Sequence, residues 1–162
     1  MNIVSAKRGS TVLSLSIVIA LIGFLIAPQA AVASKVSKKE YQAYINSVRS
    51  LVSAENSILK KYGSVTGENY TDDETMYLVL TDLTTEINRF ITRLERIQPK
   101  NSTLRAAHNI YIEGWNLQFE AMLLTLEALE DQSYAGLARS NKVLAQGRAK
   151  ISEYRARIQK LG

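Results

Sequence analysis

The sequence predicts an all-α protein, an antiparallel up-down-up-down four-helix bundle behind a cleaved N-terminal signal peptide. Three observations carry that expectation. Apolar residues recur at spacings of three and four along four successive segments, capping residues open those segments, and a short apolar stretch ending in small residues precedes them all.

The first element, residues 1–33, reads as an export signal. Lys7 and Arg8 supply a positive start, and an apolar run from Val12 to Ala27 follows. That run is about 16 residues, short of the roughly 20 a spanning helix requires. Ala31 and Ala33 ahead of Ser34 give the small-x-small pattern of signal peptidase, so cleavage is expected after Ala33. The mature protein is therefore expected to be secreted or extracytoplasmic, in the periplasm or cell wall of a bacterium, by the general secretory route. Membrane contact is expected only if the segment is retained. The chain has no cysteine, which excludes a lipidated signal and leaves the core alone to hold an exported domain. Residues 34–162, about 130 residues, suffice for one such core. Twenty Lys and Arg against 15 Asp and Glu give a net charge of +5, of which Lys7 and Arg8 supply two. The basic balance thus belongs partly to the signal, and no nucleic-acid partner is expected.

Four helices follow, at about 37–62, 71–98, 102–131 and 133–161. Ser37 and Glu40 form a capping box ahead of Tyr41, Tyr44, Ile45, Val48, Leu51, Val52, Ile58, Leu59 and Tyr62, with Gly63 as a left-handed stop. Thr71 and Glu74 offer a second capping box, with Asp72 and Asp73 in the favourable first turn. Met76, Leu80, Leu83, Ile87, Phe90, Leu94 and Ile97 then alternate by four and three until Pro99 ends the pattern. Asn101, Ser102 and Thr103 are rival caps of the third helix, whose apolar series are His108–Trp115–Met122–Leu129 and Ile112–Phe119–Leu126. Ser133 opens the fourth, built on Leu137–Leu144–Ile151–Ile158 and Ser140–Gly147–Tyr154–Leu161. Acids dominate the third helix and bases the fourth, which fits an antiparallel pair.

Few residues offer chemistry. His108, the one histidine, shares the core seam with Trp115 and Met122. A metal site would need more ligands than this, and paired Glu-x-x-His motifs are missing because Arg105 precedes His108 by three. No metal and no cofactor is expected. Haem held by His108 with Met76 or Met122 is the form a cofactor would take. Glu55 falls in the apolar series of the first helix, where a carboxylate needs a partner, with Arg148 and Asn141 the candidates at matching depth. No nucleophile elbow and no phosphate loop occurs, so the chain reads as non-enzymatic.

The pattern Leu94-x-x-Ile97-x-Pro99, a polar turn, then Ala107-His108-x-x-Tyr111 and a long amphipathic helix resembles exported helical-bundle domains of unknown function from Gram-positive bacteria. The resemblance implies a bundle and export and carries no active site. The leading expectation is a non-catalytic protein that meets another extracytoplasmic protein or an anionic envelope polymer through Arg139, Lys142 and Lys150. The alternative is a binding module that holds a small apolar ligand or haem in the core, at His108, Glu55, Trp115 and Met122.

Overall fold

The computed structural model describes residues 35–162; the signal segment expected from the sequence lies outside the described residues. Within them the regular structure is all helical: α1 (Lys38–Arg49), α2 (Val52–Gly63), a 3-10 turn (Gly67–Asn69), α3 (Asp73–Glu95), α4 (Ser102–Glu130) and α5 (Tyr134–Gln159). None of these helices is long and apolar enough to cross a membrane.

Cap chemistry sets most of the boundaries. Glu40 N–H donates to Ser37 Oγ at 3.2 Å and Ser37 N–H to the Glu40 carboxylate at 2.9 Å, closing the capping box. At α3 the cap is Asp72 rather than Thr71, since the Asp72 carboxylate accepts the Thr75 N–H at 2.7 Å. A charged acceptor at a helix N-terminus outcompetes a hydroxyl. Asn101 caps α4, and Ser133 caps α5.

The first predicted helix is two helices. Ser47 donates to Ala43 O at 3.0 Å and Ser50 to Ser47 O at 2.7 Å. Leu51 N–H then bonds Val48 O at 2.9 Å, a tightened turn, before the α ladder resumes with Glu55 N–H on Leu51 O. Serine hydroxyls that bond back to carbonyls compete with the ladder and bend the chain here. The buried positions Tyr44, Leu51, Ile58 and Val65 keep their seven-residue period across the break, whereas Val52 and Leu59 are exposed. Gly63 is helical; the left-handed residues are Gly67, at φ 63°, and Gln132, at φ 50°. Gln132 closes α4 with Ser133 N–H on Ala128 O at 2.8 Å and Gln132 N–H on Leu129 O at 3.3 Å. This is a Schellman end without its usual glycine.

α3 contributes the centre of the core through Leu80, Leu83, Ile87, Phe90 and Leu94. The closest backbone approaches join α4 to α5, then α3 to α4 and α2 to α3. Small residues make the α4–α5 seam. Ala107, Gly114, Ala121 and Ala128 repeat every seven residues along α4 and all are buried. A Cβ added at Gly147 of α5 would stand 2.8 Å from the Gly114 carbonyl oxygen. α2 and α5 carry larger side chains where they face one another and stay further apart.

Candidate functional site

Two polar clusters lie in this core, and their chemistry differs. The first sits where α1, α3, α4 and α5 meet. His108 is 1% exposed, with Nε2 3.0 Å from Leu94 O and Nδ1 3.1 Å from the Tyr44 hydroxyl. A carbonyl only accepts, so Nε2 carries the proton and Nδ1 is the ring's acceptor, set against the Tyr44 hydroxyl. The Tyr44 and Tyr154 hydroxyls are bonded at 3.0 Å, and the Tyr154 ring stacks on Tyr111 with centroids 4.3 Å apart. Burial lowers the His108 pKa, with the Leu94 bond opposing, so the imidazole stays neutral. Burial likewise pushes Tyr44, Tyr111 and Tyr154 up. Every ring nitrogen of His108 is spoken for. The histidine placed in the candidate ligand set by sequence is part of a closed structural network and has no lone pair for haem iron or another metal.

The second cluster borders a cavity of about 210 Å³ between α2 and α5, floored by α3 and α4. Residues spaced three and four apart supply its walls: Trp115, Gln118 and Met122 from α4, and Leu144, Arg148, Ile151 and Arg155 from α5. Glu55, Ile58 and Tyr62 come from α2 and Ile87 from α3. Three of the sequence candidates, Glu55, Trp115 and Met122, are thus brought together, without His108. Phe90 holds the indole in place with centroids 4.7 Å apart.

Here polar groups are left open. Trp115 Nε1 and Gln118 Nε2 are both buried and neither has a hydrogen-bond partner. Trp115 and Gln118 are 1% and 7% exposed. The indole N–H tempers the upward shift of the Tyr111 hydroxyl without reaching hydrogen-bond geometry. A buried donor without an acceptor costs about 1–3 kcal/mol. Glu55 has a side chain only 13% exposed and pairs with Arg155 at 3.7 Å, not with Arg148 or Asn141. Arg148 remains exposed on the rim beside Tyr62, whose hydroxyl is raised by burial and held down by the guanidinium.

Tyr62, Leu144 and Arg148 also line a wider open groove of about 880 Å³, bordered by Tyr70, Asp73 and Tyr134. Cavity and groove therefore adjoin at Arg148. Elsewhere on α5, Lys150 is half-buried and paired with Glu113 of α4 at 2.9 Å. Of the three basic residues expected to meet a partner, Lys150 is thus the one held by the acidic helix. Arg139 and Lys142 are exposed and form no ion pair among the described residues. Among those residues no group of three His, Asp or Glu side chains is placed to hold a metal ion.

Gln118 is the functional candidate that sequence reading misses. The available signal was the run Tyr111, Trp115, Gln118, Met122, spaced four, three and four, which puts a glutamine on the same stripe as the indole. No family model matches the chain, nor does any curated protein or solved structure.

Proposed function

We propose that this protein is an exported, non-catalytic, antiparallel four-helix bundle that binds a small molecule in the cavity between α2 and α5. One observation carries the reading: a cavity of about 210 Å³ between α2 and α5, bordered by two residues, Trp115 and Gln118, that each keep a buried N–H without a partner. Capped helices, short connections and packing of each helix on its predecessor support the bundle. The Ala31-x-Ala33 pattern supports export to an extracytoplasmic compartment of a bacterium. The non-catalytic reading rests on the chain's one histidine, whose two nitrogens are engaged.

Protein recovered from the secreting host is the test. Native mass spectra should show a small bound species that denaturation removes, on a chain beginning at Ser34. A chain that begins at Met1 in the membrane fraction would overturn export, and a mature chain with no bound species that also takes up none when challenged would overturn binding.

A second reading has its own observation. Arg139 and Lys142 stand exposed without acidic partners among the described residues, which suits contact with an anionic envelope polymer or an acidic protein. Reversing both charges should abolish retention on such a polymer and leave the melting temperature unchanged. Retention that survives would remove this surface. Such contacts weaken with salt, over a Debye length of about 8 Å at physiological ionic strength.

A further inference from the structure

We propose that the end of the bundle where α1 begins docks on a bilayer surface rich in anionic lipid, through lysine and arginine side chains gathered there from four segments of the chain.

Contacts fix which segments share that end. Asn101, ahead of α4, donates its side-chain amide to Lys35 O at 3.3 Å. Ile97, Pro99 and Lys100 of the α3–α4 turn line one pocket with Glu40 and Tyr44 of α1. A Cβ added at Gly162 would stand 2.5 Å from the Tyr41 ring, so the residues after α5 close the same end.

Residues 35–40, 93–105 and 155–162 carry ten Lys and Arg against Glu40 and Glu95. Of the ten, Arg155 and Arg157 are taken up by Glu55 and Glu153. The other eight are exposed and form no ion pair among the described residues. The opposite end is the reverse. Residues 64–75 and 127–135 hold seven acids, all exposed, and no Lys or Arg.

Helix stability does not explain this segregation. A helix start favours acids and a helix end favours bases. Yet Lys38 and Lys39 occupy the first turn of α1, Lys100 and Arg105 flank the start of α4, and Glu127 and Glu130 close α4. The charges follow the axis of the bundle rather than the needs of each helix.

A membrane suits the pattern. Cations drawn from four segments around one end meet a broad surface, whereas a linear polymer would track a stripe along one helix. An anionic surface repels the seven acids at the far end, so the bundle stands end-on. In the sequence, Lys35 follows the apolar run Val12–Ala27 by eight residues, at most about 29 Å of extended chain. Any hold of a membrane on that run brings this end to the bilayer. The surface itself lies within residues 35–162 and does not need the run to be retained. None of the exposed large apolar side chains falls in these segments, so the contact is electrostatic and salt-sensitive.

The test is an amine-acetylation footprint of protein recovered from the secreting host, read lysine by lysine in mass spectra. With vesicles of equal phosphatidylglycerol and phosphatidylcholine at about 0.1 M salt, Lys38, Lys39 and Lys100 should be protected and Lys142 should not. Salt at about 1 M, where the Debye length falls to about 3 Å, should remove the protection. Each basic residue contributes about fivefold in affinity at such a surface. Lys38→Gln with Lys39→Gln should therefore weaken vesicle binding about 25-fold, read as lost protection of Lys100. Protection that is equal with phosphatidylcholine alone, extends to Lys142, outlasts high salt or survives the double substitution would overturn the proposal. Equal protection by polyglutamate at matched charge would overturn the lipid assignment in favour of an acidic polymer.

Discussion

The His108 cluster and the Gln118 cluster sit less than three helical turns apart on α4, and they show two ways of placing polar groups in one core. Around His108 the polar groups bond one another: Leu94 O and Tyr44 meet the imidazole, and Tyr44 bonds Tyr154. Around Gln118 two donors stay open beside a cavity. The packing explains the contrast. α4 presses on α5 through glycine and alanine, so the seam is close, while a cavity lined by Glu55, Tyr62 and Arg148 lies between α2 and α5. A closed polar network specifies a fold. An open one next to a void is a cost to stability that a ligand can offset.

The strongest way to test the packing beneath this contrast is to remove the ring that holds the Trp115 indole. Phe90 is 1% exposed and packs on Trp115, so Phe90→Ala should cost about 3–5 kcal/mol in chemical denaturation. A value below about 1 kcal/mol would mean the core is not packed as described. Next comes His108→Ala, at about 2–4 kcal/mol, because it leaves a void and strands the Leu94 carbonyl. The same residue gives a pH signature. Its folded pKa is lowered, so the unfolded chain binds the extra proton. Its contribution is then complete above about pH 6.5 and is lost as pH falls below that value toward the folded pKa. Melting curves between about pH 7 and 5 should show this decline, and His108→Ala should flatten it.

Smaller effects sharpen the comparison. Gly147→Ala puts a Cβ against the Gly114 carbonyl and should cost about 1–3 kcal/mol by forcing the close seam apart. The mirror experiment is Gln118→Leu on the open side. Replacing a buried amide that lacks a partner by an apolar group of similar shape should be neutral or stabilise by up to about 1 kcal/mol. Destabilisation by Gln118→Leu as large as that of His108→Ala would erase the distinction between the clusters.

What the sequence makes legible follows from how local each cause is. The caps at Ser37 and Ser133 need only neighbours within three residues and can be read directly, whereas Asn101 is one of three adjacent rivals in the sequence. The α3 stripe is equally plain. The break at Ser50–Leu51 is not, because an uninterrupted apolar period runs across it and the bend comes from serine hydroxyls. Gly63 reads as a helix stop, yet the turn takes its left-handed residue at Gly67. Hydrophobic pattern also misplaces one face of α4. It favours Ile112–Phe119–Leu126, which are only half-buried, over Leu104–Tyr111–Gln118, which are buried. A glutamine in a seam looks like an interruption until the missing partner is seen in three dimensions. Glu55 stands out in the pattern, but its actual partner, Arg155, depends on the depth at which α2 meets α5.

One spectrum tests the central claim. In ¹⁵N-labelled protein, Trp115 gives the single indole N–H resonance and His108 the single imidazole N–H resonance, one from each cluster. On adding 3-phenylpropionate, a one-ring probe small enough for a cavity of about 210 Å³, the indole signal should move progressively and saturate, while the His108 Nε2–H signal stays in place. An indole signal that does not respond while the probe is bound, or two signals that shift together, would contradict the division of this core into one closed cluster and one open one.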